Sequence, residues 1–205
     1  MTDARKPAIV FDFGGVLMDW NPRYLYRKIF DDPGEMERFL EEVEFGAWNE
    51  EQDRGRPFAE GVAVLIARFP DYRTAIEAFH HRWEETIAGE IAGSVEILAA
   101  LRDAGYPLYG LSNWSAETFA VVRHRYPFFS WFDEIVLSGE EKVCKPDPGL
   151  FNVLLERSGR PAGECVFIDD SLPNVTAARA LGFQVVHFRS PEQLREELTD
   201  RGFFA

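Results

Sequence analysis

Residues 9–16 read Ile9-Val10-Phe11-Asp12-Phe13-Gly14-Gly15-Val16. Ala8 to Phe11 has the length and the apolar composition of a fully buried strand. Such a strand sets Asp12 at its carboxyl end, where open α/β sheets hold their ligands. Gly14 and Gly15 let backbone groups come close to whatever that carboxylate holds. A carboxylate that leaves a buried strand and faces a Gly-Gly turn suits nucleophilic attack or metal ligation. Taken alone, it suits a turn or helix-cap aspartate equally well.

Beyond this strand, Met18-Asp19-Trp20-Asn21-Pro22 reads as a turn. From there to about Gly93 the chain is helical in period and rich in aromatic residues. Val62, Leu65, Ile66 and Phe69 recur at i, i+3, i+4 and i+7, and Ile76, Phe79, Trp83 and Ile87 also fall at helical steps. Pro22, Pro33, Pro57 and Pro70 divide the stretch into four or five helices. No strand pattern interrupts it, so it reads as a helical insertion with a small core of its own.

From Gly93 onward helix and strand alternate. Val95, Leu98 and Leu101 form a helical face closed by Gly105. Pro107 to Leu111 is an apolar run ending at Ser112-Asn113. Phe119, Val122 and Tyr126 mark the next helix, and Glu134 to Leu137 a short strand. Asp147-Pro148 is a cap followed by a proline in the first turn, and Phe151, Leu154 and Leu155 follow. Cys165 to Ile168 is a strand running into Asp169-Asp170-Ser171. Val175, Ala178 and Leu181 form a helix, and Phe183 to Phe188 another strand. Ser190-Pro191-Glu192-Gln193 is a capping box that starts the last helix. Strands alternating with helices at these lengths make βαβ units and a parallel sheet. The expected fold is α/β: a Rossmann-like core of residues 1–19 and 93–205, with helices on both faces and an inserted helical cap at 20–92.

A parallel sheet brings its carboxyl ends to one edge. That edge would gather Asp12, Ser112-Asn113, Lys145 and Asp169-Asp170: a nucleophile, a hydroxyl, an ammonium and a pair of carboxylates. These groups suit phosphoryl transfer to an aspartate, in which a carboxylate-held divalent cation offsets the charge that phosphate and nucleophile bring together.

Composition narrows the partners. The 205 residues carry a formal charge of −13, which disfavours nucleic acid and anionic membranes but not a small anionic substrate, because a local cation can outweigh the global sign. The two cysteines, Cys144 and Cys165, form no disulfide framework; Cys144, beside Lys145, reads as a small buried thiol. The four histidines show no ligand spacing. No stretch approaches the ~20 apolar residues of a membrane span, and residues 1–7 precede too short an apolar run for a signal peptide. The expected location is cytoplasmic.

Four short motifs, in order and at fitting strand ends, resemble those of the haloacid dehalogenase (HAD) superfamily: Asp12-Phe13-Gly14-Gly15-Val16, Leu111-Ser112-Asn113, Lys145-Pro146 and Phe167-Ile168-Asp169-Asp170-Ser171. The position of the insertion resembles the small helical cap of the branch that contains 2-haloacid dehalogenases and many sugar phosphatases. The resemblance implies that Asp12 is the nucleophile, that Ser112 donates a hydrogen bond to the transferring group, and that Lys145 pairs with nucleophile and phosphate. It implies Mg2+ held by the Asp12 carboxylate, the Gly14 carbonyl and Asp170. Asp169 would orient Lys145, and Asn174 stands where a further acid is often found. Asn113, within the second motif, would contact the substrate, and Trp20 and Trp114, which follow motifs, would wall the site, with core packing the alternative for the two tryptophans. The polar run Trp48 to Gly55 would either face the substrate or be a solvated helix end.

One departure matters. Phosphatases of this family usually carry a second aspartate two residues after the nucleophile, to protonate the leaving oxygen and then activate water. Here that position is Gly14. A general acid/base is typically worth about 10²–10⁴-fold, so such an enzyme should prefer good leaving groups, such as anomeric sugar phosphates or acyl phosphates, unless Asp19 or a cap residue substitutes. The expected activity is magnesium-dependent hydrolysis of a small phosphorylated metabolite through an aspartyl phosphate. The alternatives are a metal-free 2-haloacid dehalogenase and a catalytically weakened ligand-binding member. Gly14, Val16 and the acidic fourth motif depart from the dehalogenase pattern.

Overall fold

The computed structural model describes residues 5–204. Residues 1–4, on which part of the leader reading rests, and Ala205 lie outside the described residues. The chain opens with β1 (Ala8–Phe11) and β2 (Met18–Trp20), then runs through α1 (Pro22–Tyr26), α2 (Pro33–Glu42), α3 (Phe45–Asp53), α4 (Phe58–Arg68) and α5 (Arg73–His81) to β3 (Ile87–Glu90). There follow α6 (Ala92–Asp103), β4 (Leu108–Ser112), α7 (Ala116–Val122), β5 (Glu134–Leu137), α8 (Ser138–Glu141), α9 (Pro148–Ser158), β6 (Cys165–Asp169), α10 (Leu172–Ala180), β7 (Gln184–His187) and α11 (Pro191–Asp200).

Five strands form one parallel sheet in the order β5-β4-β1-β6-β7. The chain builds outward from β1 to one side through β4 and β5, then to the other through β6 and β7. The carboxyl end of β1 therefore lies at the point where strand order reverses, the place where open α/β sheets bind ligands. Val10 is in register with Tyr109 on one side and Phe167 on the other.

Period-two alternation sends each central strand's side chains to two separate apolar layers. Ile9, Phe11, Val166 and Ile168 join one layer with Ile97, Leu98 and Leu101 of α6 and Leu194 and Leu198 of α11. Ala8, Val10, Cys165 and Phe167 join the other with Leu150, Phe151 and Leu154 of α9 and Ala178 of α10. Because both faces are covered, the strands read as unbroken apolar runs.

The helix ends follow the local signals. Asn21 and Asp32 cap α1 and α2 with their side chains, and Pro22 and Pro33 occupy the first turns. Gly105 takes a left-handed φ of +73° after α6. Ser190 caps the Gln193 N–H at 3.2 Å, but the Gln193 side chain returns to the Arg189 N–H rather than to that of Ser190.

The stretch read as strand-free holds a strand. β3 pairs antiparallel with β2, so Met18–Trp20 is extended rather than a turn. The helix carrying Ile76 and Phe79 ends at His81; Trp83 lies in a 3-10 turn and Ile87 on β3. Helical spacing across 76–87 misled because an apolar residue on a turn and one on a half-buried strand happened to fall in phase. Tyr126 likewise lies past the end of α7. The five helices from α1 to α5 pack through aromatic rings centred on Phe79, with Phe45 at 4.9 Å, Trp48 at 5.5 Å and Phe58 at 6.0 Å between centroids. This cluster is not separate: it runs continuously into the α6–α11 face of the sheet.

Gly110 of β4 admits the Phe13 ring, since a Cβ there would stand 2.3 Å from Phe13 Cζ. Gly110→Ala should lower the unfolding free energy by about 1–3 kcal/mol, the usual cost of overpacking a filled core. Urea denaturation checks it.

Candidate active site

Three adjacent strands deliver the chemistry. Asp12 follows β1 directly, its backbone N–H bonded to the Ile168 carbonyl at 2.9 Å. Ser112 ends β4 and Asp169 ends β6. Lys145 comes from the loop before α9, and its backbone is clasped by Asn113: the amide donates to the Lys145 carbonyl at 2.9 Å and accepts from its N–H at 2.8 Å. The clasp fixes where the lysine side chain starts.

The Lys145 ammonium is shut off from water and donates to three acceptors: the Leu111 carbonyl at 2.7 Å, Asp169 Oδ2 at 2.7 Å and Asp12 Oδ1 at 3.0 Å. Burial alone would push its pKa down, but Asp12 and Asp169 together hold it above the ordinary lysine range. Asp169 is fully buried. It also accepts from the Ser171 N–H at 2.8 Å and from the Asn174 amide at 3.1 Å. With every lone-pair direction so engaged, Asp169 and Asn174 form a fixed support behind the lysine.

Asp12 accepts from the Phe13 N–H at 2.7 Å and from the Ser112 hydroxyl. Burial pushes its pKa up to about 7, against the pull of Lys145 and with further push from Asp169. Asp170 lies at the solvent side, its pKa raised by burial and by Asp169. Its carboxylate rests on Gly15: a Cβ there would meet Asp170 Oδ2 at 2.4 Å, and φ is +72°. Glycine is needed at 15 on both counts.

The carboxylate oxygens of Asp12, Asp169 and Asp170 lie within 4.8 Å of one another. Three carboxylates against one ammonium leave a formal charge of −2, and an all-oxygen donor set suits a hard divalent cation. The N–H of Gly15 donates to the Met18 carbonyl and those of Val16, Leu17 and Met18 to the Phe13 carbonyl, so none of these four goes to the Gly14 carbonyl. These residues fit a divalent metal.

Beside this cluster is a small, partly open cavity lined by Gly14, Trp20, Asn49, Asp53, Trp83, Asn113 and Trp114. All three residues expected at the substrate site, Trp20, Asn113 and Trp114, are on it. From the polar run 48–55, Asn49 and Asp53 reach the cavity, whereas Trp48 is buried in the aromatic cluster and donates to the Gly61 carbonyl. Trp83 was missed, because helical spacing had placed it on a core face. A Cβ at Gly14 would have nothing within 4 Å, and its φ is not left-handed. Lys145→Met should cost about 3–5 kcal/mol of stability, because it leaves Asp12 and Asp169 buried without their cation. Chemical denaturation of the two proteins measures it.

Known proteins resemble this chain in sequence and in fold. Residues 6–182 match the family model described as haloacid dehalogenase-like hydrolase. The chain is 27% identical over 180 residues to the sesquiterpene phosphatase astK of Aspergillus oryzae, covering 88% of each. It is 37% identical over 93 residues to the drimenol cyclase drtB of Aspergillus calidoustus, of whose length it spans only 18%. Its fold superposes with a TM-score of 0.66 on a HAD family enzyme of Bacteroides thetaiotaomicron solved with magnesium and inorganic phosphate, at 23% identity and covering 90% and 95% of the two chains. With the family model matching residues 6–182, most of the sequence, this chain belongs to the haloacid dehalogenase-like hydrolases.

Proposed function

We propose that the protein is a magnesium-dependent phosphomonoester hydrolase working through an aspartyl phosphate on Asp12. The observation that carries this reading is the acidic cluster: Asp12, Asp169 and Asp170 crowd together with a single buried ammonium. A metal-free halide displacement has no use for the third carboxylate, Asp170, so the cluster favours the phosphatase over the dehalogenase.

In this reading Asp12, Asp170 and the Gly14 carbonyl hold Mg2+, which when bound supplies positive charge against the phosphate and the attacking carboxylate. Asp12 Oδ attacks phosphorus and the bond to the alcohol oxygen breaks. Ser112 and Lys145 hold the transferring oxygens, aimed by fixed partners rather than by solvent. Asn113 and Asp169 keep the lysine in place. Water then attacks the phosphorus of the aspartyl phosphate and frees Asp12 and inorganic phosphate. The insertion 20–92 serves as the cap. Trp20, Trp83 and Trp114 give the cavity broad apolar walls, which suit the phosphate ester of an alcohol with an apolar or planar body. The relation to a protein named a sesquiterpene phosphatase points the same way.

Phosphate release from such esters should require magnesium, stop in chelator and fall to background in Asp12→Asn. Halide release from a 2-haloacid in chelator would overturn the reading. Metal binding should also depend on pH with a definite sign. Asp12, raised to about 7, holds a proton below that pH, and the proton competes with the cation. Magnesium in hundredfold excess over its dissociation constant should raise Tm by roughly 5–10 °C at pH 8. That rise should shrink toward zero by pH 5.5, as thermal melts would show.

A further inference from the structure

Gly14 stands where phosphatases of this family usually carry a second aspartate, and it can only lend backbone. Sequence reading left Asp19 or a cap residue as substitutes. Asp19 does not fill the role: both of its carboxylate oxygens accept from the Tyr24 hydroxyl, at 2.9 and 3.0 Å, and it is not on the cavity wall. Among the residues that line the cavity, Asp53 alone carries a titratable side chain.

Asp53 is the last residue of α3, and the core holds it in place. Its backbone carbonyl accepts from the Ser138 hydroxyl at 2.5 Å, and Ser138 in turn accepts from the Trp114 N–H at 2.9 Å. Two residues on, Gly55 packs on the Gly139 carbonyl so closely that a Cβ would stand 2.7 Å from it, with φ at +93°. The carboxyl itself accepts from the Asn49 amide at 2.9 Å and from the Ser115 backbone N–H. Asp53 thus lines the cavity with its carboxyl steadied by donors from the insertion and from the loop after β4.

We propose that Asp53, which lines the same cavity as Gly14, is the proton donor and acceptor of the reaction in place of the absent second aspartate. The proposal rests on the phosphomonoesterase reading of the site. As Asp12 Oδ bonds to phosphorus and the phosphorus–oxygen bond to the alcohol breaks, the Asp53 proton passes to the departing alkoxide. As water then attacks the aspartyl phosphate, the Asp53 carboxylate takes its proton, Asp12 leaves phosphorus, and Asp53 is protonated again for the next cycle. The surroundings favour the protonated resting state. Burial raises the Asp53 pKa well above the carboxylate range, the Ser115 N–H pulls it back, and the charges of Glu50 and Asp12 push it up again. With this donor in place, the preference for good leaving groups that Gly14 would otherwise impose is lifted.

The test uses the full chain with magnesium and two probes, hexyl phosphate, whose alkoxide needs a proton to leave, and p-nitrophenyl phosphate, whose phenolate does not. Asp53→Asn should slow hexyl phosphate by about 10²–10⁴-fold. With p-nitrophenyl phosphate it should release one p-nitrophenolate per site in a burst, then turn over slowly, because water activation is also lost. The burst itself reports a folded site. Adding Gly14→Asp, which meets no steric bar, should restore hexyl phosphate turnover. The proposal is overturned if Asp53→Asn leaves hexyl phosphate hydrolysis intact, or if it slows both probes alike with no burst. It is equally overturned if wild-type enzyme cleaves the aryl ester but not the alkyl one. Failure of wild-type enzyme on both probes would instead remove the phosphatase reading, and this proposal with it.

Discussion

A lysine ammonium closed off from water, gripped by two carboxylates and a carbonyl, is the interaction on which the rest of this site depends. Lys145 reaches Asp12, Asp169 and Leu111 at once, and each acceptor comes from the end of a different central strand or the residue just past it. The ion pair therefore ties β1, β4 and β6 together at the reactive edge. Burying charge this deeply is favourable only with good geometry and full hydrogen bonding, and the Asn113 clasp and the Asn174 amide supply what the pair cannot. Asp12 stays loosely compensated by comparison. It is the member of the cluster left to meet something from outside.

The sheet and its reactive edge were legible because their signals are local and redundant. Ala8–Phe11 and Cys165–Asp169 are short, wholly buried runs ended by acids, and a parallel sheet leaves little choice about where those ends go. The insertion was less legible. β3 carries Ala88, Gly89 and Glu90, which have little strand propensity, and it exists because it pairs with β2 seventy residues away. Trp83 illustrates the same limit: its place on the cavity is set by a turn between two elements, which periodicity does not register. The docking of Asp53 was invisible for another reason. A polar helix end looks the same in sequence whether water or a neighbouring loop receives it.

The two glycines after Asp12 look alike in sequence and differ in cause. Gly15 is dictated by a left-handed backbone and by the Asp170 carboxylate lying against it. Gly14 is dictated by neither. One glycine belongs to the architecture of the acidic cluster; the other leaves open space that the rest of the cavity wall is shaped around.

The strap from Ser138 to the Asp53 carbonyl, with Gly55 seated on Gly139, has a consequence for timing. A swing of the α3 end away from the sheet would break that strap and draw Asp53 out of the cavity wall. The contacts of Lys145 with Asp12, Asp169 and Leu111 involve no residue of α3, so they would survive such a swing. On the proposed role of Asp53, chemistry and access would be mutually exclusive states of one hydrogen-bonded joint, and an acyl phosphate on Asp12 would outlast a premature opening.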